Sequence, residues 1–207
     1  MKLLNLFFKD IPMKIILGSQ SPRRSEILSY FSIPFVQVPS SFDEDLVSFE
    51  GDPVKYAMTL SEKKAESLVG QFPQEIILTA DTIVYFEDKI FNKPKSYKEA
   101  FQTVSMLSGK MHKVFTSATV RQGSVYHTEI EETRIFFNLL TSEQVHKYLS
   151  STFHYDKAGS YAIQKTGSII VQRIEGCYYN VMGLPINTVR RLLNKFGVDL
   201  WDYLKPC

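Results

Sequence analysis

Ile15-Ile16-Leu17-Gly18-Ser19-Gln20-Ser21-Pro22-Arg23-Arg24 carries the chain from a short apolar run through a turn into a helix. Ile15–Leu17 reads as a buried strand. Ser21 fits an N-cap and Pro22 the first helical position, where a missing N–H costs nothing and a fixed φ helps. Two arginines then occupy the first turn, beside the partial positive charge of a helix N-terminus. A broken local rule of this kind often marks a functional site. Backbone N–H groups, the Ser19 and Ser21 hydroxyls and two guanidinium forks together form an anion trap suited to a polyphosphate. The plain alternative is a surface helix start whose arginines face water. The glycine spacings of P-loop and Rossmann sites are absent.

Working outward, the spacing predicts a helix over Pro22–Tyr30, an extended segment at Phe35–Pro39 and an acidic turn at Phe42–Asp45. Asp52-Pro53 starts a second helix, with Val54, Ala57, Met58, Ser61, Ala65 and Leu68 on its buried face. Ile76–Phe86 is a strand, and Glu87-Asp88-Lys89 turns it into a short return at Ile90-Phe91. Ser96-x-x-Glu99 is a capping box for a helix closed by Gly109. Met111–Val120 and Val125–Phe137 flank Gln122-Gly123-Ser124 as a long hairpin. Thr141-x-x-Gln144 caps another helix, Ile169–Ile174 reads as a strand, and Pro185–Lys195 as a last helix. Strands interspersed with helices and one long hairpin predict an α/β fold on a mixed sheet.

Composition sets limits on function. The 207 residues contain 24 basic and 22 acidic side chains, a formal net charge of +2, with 44% hydrophobic residues. One domain, or two intimate lobes, with a substantial core is expected. No polybasic patch suggests nucleic acid as a partner, so a strong positive field must be local to a cleft. Cys177 and Cys207 form neither a disulfide framework nor a metal pattern, which fits a reducing cytoplasm. The apolar stretch before Lys9-Asp10 is too short to span a membrane, and Met13 is a second candidate start that makes residues 1–12 an extension.

Asp81 sits inside the apolar run Ile76–Val84. A carboxylate there must be paired, bind a metal or line a cleft; an edge-strand position facing water is the alternative. Glu44, otherwise a solvated turn residue, supplies a second carboxylate. Together they could hold Mg²⁺ or Mn²⁺, or draw a proton from water. Lys64 and Lys93 are candidate charge neutralisers, although either alone fits a solvated surface. The four histidines show no ligand spacing. Tyr155–Gln164 is a turn-rich aromatic stretch that could stack a base, with Gln164 presenting a donor and an acceptor to the imide edge of uracil or thymine. A packed loop with its aromatics in the core fits that stretch equally. Gly176–Pro185 reads as a glycine-punctuated turn.

Taken in order, Ser19-x-Ser21-Pro22-Arg23-Arg24, Glu44, Lys63-Lys64-Ala65, Ala80-Asp81-Thr82-Ile83-Val84, Lys93-Pro94, Leu107-Ser108-Gly109-Lys110-x-His112, Asp156-Lys157-Ala158-Gly159 and Gly183-Leu184-Pro185 resemble the Maf family of nucleoside triphosphate pyrophosphatases. The resemblance runs over about residues 13–196. It implies a two-lobed α/β fold, like that of inosine triphosphatases, with an elongated mixed sheet and a central cleft. It implies hydrolysis of a nucleoside triphosphate to monophosphate and pyrophosphate with a divalent cation. Asp81 matches the catalytic acid; Glu44 and Asp81 match acidic positions able to hold the metal. Ser21, Arg23, Arg24, Lys64, Thr82 and Lys93 match substrate-binding positions. Gln164 resembles the branch acting on TTP and UTP, where the 7-methyl-GTP branch carries Glu. Gln20 and Lys165 depart from the pattern, Lys165 standing where glycine is common. A homodimer in the cytoplasm is expected, with no membrane or nucleic-acid partner. The family's link to septum formation supplies a contrasting reading, a nucleotide-sensing binder with little turnover.

Overall fold

The computed structural model describes residues 14–151 and 155–206. Met13 and the extension expected over residues 1–12 lie outside the described residues, as do His154 and Cys207. Seven strands form one mixed sheet: β1 (Ile15–Gly18), β2 (Phe35–Val38), β3 (Ile76–Phe86), β4 (Lys89–Phe91), β5 (Met111–Gln122), β6 (Val125–Phe137) and β7 (Val171–Glu175). The order is β2-β1-β3-β5-β6-β7, with β4 also on β3. β1 is parallel to both β2 and β3, and the remaining pairs are antiparallel.

β3 organises the molecule. β5 follows it from Ile77 to Tyr85 along one edge. On the other edge, β1 reaches only to Thr79 and β4 begins only at Val84. Residues 80–83 therefore have no strand partner on that edge among the described residues. This opening lies beyond the carboxyl end of β1, where the chain leaves for α1 (Pro22–Leu28). Ligands in open α/β sheets gather at such ends.

The period of two along β3 sends alternate side chains to opposite faces. Ile76, Leu78 and Ala80 join Ile27 and Leu28 of α1 and Val189, Leu192 and Leu193 of α6 (Ile186–Asn194) in one core. Further along that face, Val84 packs with residues of α3 (Tyr97–Leu107) and α4 (Ser142–Ser151) in a second core. Ile163 packs against both cores, so they meet as two lobes of one sheet. Ile77 and Ile83 face the other way, toward α2 (Pro53–Val69).

Most predicted elements are where the sequence puts them, and the differences have local causes. Asp52 caps α2 by accepting from the N–H groups of Val54 and Lys55. Val54, expected inside, is exposed on the first turn, while Tyr56, Leu60 and Lys64 are buried. The strand expected at Ile169–Ile174 begins two residues later, because Lys165–Ile169 coils into a 3-10 turn and leaves Ile169 exposed. The glycine-punctuated turn contains a five-residue helix, α5 (Tyr178–Met182).

Candidate active site

The side chains of Asp81 and Thr82 leave β3 on opposite faces, both at the unpaired edge. Asp81 and Lys64 are almost wholly buried. Such charges are tolerated only when matched. Lys64 Nζ lies 2.5 Å from Asp81 Oδ1 and 2.8 Å from Glu44 Oε1. Glu44 stands on a 3-10 turn, Glu44–Leu46, whose start is capped by the Asp43 carboxylate accepting from Asp45 N–H. Burial pushes the Glu44 carboxyl up; the Lys64 charge and hydrogen bond, helped by Lys93 and Arg24, outweigh this and hold it below its ordinary value.

Lys64 reaches Asp81 because it falls on the buried stripe of α2, one turn after Ser61. Ser61 Oγ lies 2.8 Å from Ser117 Oγ and 2.9 Å from Thr119 Oγ1, and Thr79 donates to the Ser61 carbonyl at 2.7 Å. These buried hydroxyl bonds fix the register of α2 against β3 and β5, and with it the height of Lys64 beside Asp81.

On the opposite face, the acceptors that hold Arg24 among the described residues are all neutral. Its Nε donates to the Gly183 carbonyl at 2.7 Å, one terminal nitrogen to Ser19 Oγ at 3.3 Å and the other to Thr82 Oγ1 at 3.1 Å. Desolvation lowers the Arg24 pKa, partly offset by Asp81 and Glu44, and a guanidinium remains charged regardless. Arg23 differs. It donates to Asp156 Oδ2 at 2.7 Å and to the Asp156 carbonyl at 3.2 Å, across 133 residues of sequence. Burial raises the Asp156 pKa, but bonds from Lys157 and Arg23 bring it below the usual range. The trap read at the helix start is thus unequal: Arg23 is matched by a carboxylate and Arg24 is not. Ser21 lines the cleft, but its hydroxyl makes no capping bond; Ser19 Oγ accepts from Ser21 N–H instead.

Gln164 is half-buried and opens the Lys165–Ile169 turn, its carbonyl accepting from Gly167 N–H at 2.9 Å. Lys165 takes φ +53°, so it keeps the left-handed backbone that glycine adopts more readily. The segment before it is anchored from below. Ala162 N–H donates to the Tyr148 hydroxyl at 2.9 Å, and the Tyr161 hydroxyl lies 2.8 Å from His112 Nε2. Tyr161 is buried edge-on against His112 and Phe137. Of the two readings of this aromatic stretch, the packed-core one holds for Tyr161, while Gln164 remains at the cleft.

All nine expected site residues, Ser21, Arg23, Arg24, Glu44, Lys64, Asp81, Thr82, Lys93 and Gln164, line one cleft of about 620 Å³. That volume suits a nucleotide-sized ligand. Tyr56, Asn92, Asp156 and Lys157 also line it. The sequence reading gave these four no site role: Asp156 and Lys157 came with the resemblance, and an aromatic on a helix or an asparagine in a turn has many ordinary uses. Lys64 carried a usable signal, a lysine in phase with Ala57, Ser61 and Leu68.

The Maf-like protein family profile matches residues 14–196. The chain belongs to the Maf family. Among curated Maf relatives, a dTTP/UTP pyrophosphatase of Chlamydia felis is 45% identical over 92% of this chain and 98% of its own length. One from Clostridium perfringens is 40% identical over 91% of this chain and all of its own. A protein of Chlamydia muridarum at 38% identity, over 92% and 98%, is named nucleoside triphosphate pyrophosphatase. No helix among the described residues is long and apolar enough to cross a membrane.

The donor set also bears on a metal. No cluster of three or more His, Cys, Asp or Glu side chains able to hold an ion occurs among the described residues. Glu44 and Asp81 do converge on one cation, Lys64. Two carboxylates suit Mg²⁺, which is commonly held by one or two of them together with substrate phosphates.

Proposed function

We propose that this Maf protein hydrolyses dTTP and UTP to the monophosphate and pyrophosphate. The observation that carries the reading is Asp81 at the unpaired edge of β3, with Lys64 on one face and Arg24 on the other. Relatives named for that reaction, aligned over nearly their whole length, support it.

The geometry supports the following route. Water attacks the α-phosphorus, and the bond from that phosphorus to the α–β bridging oxygen breaks. Lys64 engages Oδ1 of Asp81, and the second carboxylate oxygen takes the proton from water as general base. Charge develops on the departing pyrophosphate, where Arg24 and Lys93 stabilise it as fixed cations at the cleft. Arg23 joins them by exchanging Asp156 for phosphate oxygens. Glu44 and Asp81 would hold Mg²⁺ or Mn²⁺, which supplies further positive charge against the triphosphate. Gln164 presents its amide to the imide edge of the pyrimidine. A cytoplasmic location and a homodimer accompany this reading.

Product analysis tests it. Purified protein with Mg²⁺ or Mn²⁺ is given dTTP, UTP, CTP, 7-methyl-GTP and ITP. Monophosphate and pyrophosphate from dTTP and UTP are expected. Turnover of 7-methyl-GTP alone would keep the chemistry and overturn the base preference. Tight binding without turnover would instead support a nucleotide sensor.

A further inference from the structure

Behind Arg24 runs a line of hydrogen bonds whose direction the chemistry determines. Thr116 Oγ1 lies 2.8 Å from the Asn180 carbonyl, which can only accept, so the Thr116 proton is committed there. Thr82 Oγ1 lies 3.0 Å from Thr116 Oγ1 and must therefore donate to it. With its proton spent, the Thr82 oxygen is an acceptor, and Arg24 donates to it at 3.1 Å. The Thr82 hydroxyl thus has no proton left for a phosphate oxygen, and it acts on the ligand through Arg24.

The far end of this line is fixed by Asn180, a fully buried residue of α5. Its Nδ2 donates to the Val114 carbonyl at 3.0 Å and to Thr133 Oγ1 at 2.9 Å, tying α5 to β5 and β6. Thr133 Oγ1 also accepts from Cys177 N–H at 3.0 Å, at the N-cap of the same helix. α5 ends at Gly183, whose φ is +100° and whose carbonyl takes Arg24 Nε. A Cβ on Gly183 would stand 3.1 Å from Thr82 Oγ1 and 3.4 Å from Arg24 Nε, so the helix end is packed directly on both. α5 therefore reaches the guanidinium twice: directly through Gly183, and through Asn180, Thr116 and Thr82.

We infer that Thr116 and Asn180 are positioning residues for the anion-binding arginine, setting the Arg24 fork before the ligand arrives. Neither lines the cleft; both act through Arg24. The inference rests on the reading of the cleft as a triphosphate site. Preorganisation of a cation in this way favours anion binding because no ordering of the side chain remains to be done on association.

A double-mutant cycle with inorganic tripolyphosphate as the probe tests it, alongside kcat and KM for dTTP. Thr116→Val keeps the side-chain shape and removes the hydroxyl; Thr116→Ser keeps the hydroxyl. Thr116→Val should weaken tripolyphosphate binding about tenfold, the scale of one lost hydrogen bond in a coupled set. Its effect on dTTP should fall on kcat as well as KM, because Arg24 both binds the triphosphate and stabilises the departing pyrophosphate. Thr116→Ser should stay within about threefold of the parent. In an Arg24→Ala background, Thr116→Val should add nothing further. Binding unchanged by Thr116→Val, or losses that multiply with those of Arg24→Ala, would overturn the inference. If Thr116→Val does not fold, Thr116→Ala is put through the same cycle with the same outcomes. Should Arg24→Ala itself leave tripolyphosphate binding untouched, the reading of the cleft fails and this inference with it; loss in Arg24→Ala with none in Thr116→Val removes the relay alone.

Discussion

Asp81 and Thr82 are adjacent in sequence, yet Asp81 meets Lys64 of α2 on one face of the sheet while Thr82 meets Arg24 of α1 on the other. The alternation of a strand is what separates them. Residues 80–83 pair with β5 on one edge but have no strand partner on the other among the described residues, and this is what lets both reach one cleft. One short piece of strand thus places an acid and a cation anchor on opposite faces at one cleft. The two cations are held differently. Lys64 is matched by two carboxylates, whereas the acceptors of Arg24 among the described residues are all neutral.

Gln164→Glu should shift base preference. An amide offers a donor and an acceptor, whereas a carboxylate offers acceptors only and adds charge. An imide carbonyl facing that carboxylate loses its donor. kcat/KM for dTTP and UTP should fall by about 100-fold or more, and 7-methyl-GTP, whose methylated base is cationic, should gain relative to them. Steady-state kinetics on the three nucleotides checks this; an unchanged ratio contradicts the role of Gln164.

Lys165→Gly should stabilise the protein. Lys165 holds φ +53°, a left-handed conformation that costs a side-chain-bearing residue about 1–2 kcal/mol. Glycine relieves that strain but adds freedom to the unfolded chain, leaving a net gain of about 0.5–1 kcal/mol. Urea unfolding of both proteins measures it. A loss of stability would mean that the lysine side chain contributes more than its backbone costs.

His112 gives stability a pH dependence with a defined sign. The ring is buried against Tyr161 and Phe137, and desolvation pushes its pKa down to about 3 from 6.5. Between those values the unfolded chain binds a proton that the folded protein excludes. The contribution is fully present above pH ~6.5 and is lost as pH falls, by up to about 1.4 kcal/mol per unit. Glu44 and Asp156, held below their ordinary values of 4.5 and 3.8, act in the same direction but only at lower pH. Comparing melting temperatures of the parent and His112→Gln between pH 7 and 5 therefore separates this histidine from the carboxylates and from the other three histidines. His112→Gln should flatten the profile in that window; parallel profiles for the two proteins would contradict the assignment.

Much of this was legible in the sequence, for identifiable reasons. β3 was readable to its ends because eleven residues of strong strand character meet a Glu87-Asp88 turn. The long hairpin and the Thr141–Gln144 capping box, where each residue bonds the other's backbone, depend on neighbours in sequence. The Ser96–Glu99 box is less regular, since Glu99 reaches Lys95 N–H. Asp81 stood out as a carboxylate in an apolar run. The Arg23–Asp156 pair and the Thr82–Thr116–Asn180 line could not be read, because they join residues 133 and 64 positions apart through the fold. α5 was missed because five residues are too few for a periodic pattern. Val54 matches the buried face in helical phase, yet it stands exposed in the first turn of α2.

The most direct measurement on the central claim is turnover and binding of dTTP by Asp81→Asn. An asparagine oxygen can still accept from Lys64, so the fold and the cation array are kept while the general base is lost. Turnover should fall by about 10²–10⁴, with dTTP affinity within a few-fold of the parent protein. Turnover equal to that of the parent would show that the chemistry does not run through Asp81, and the account of this cleft would be wrong.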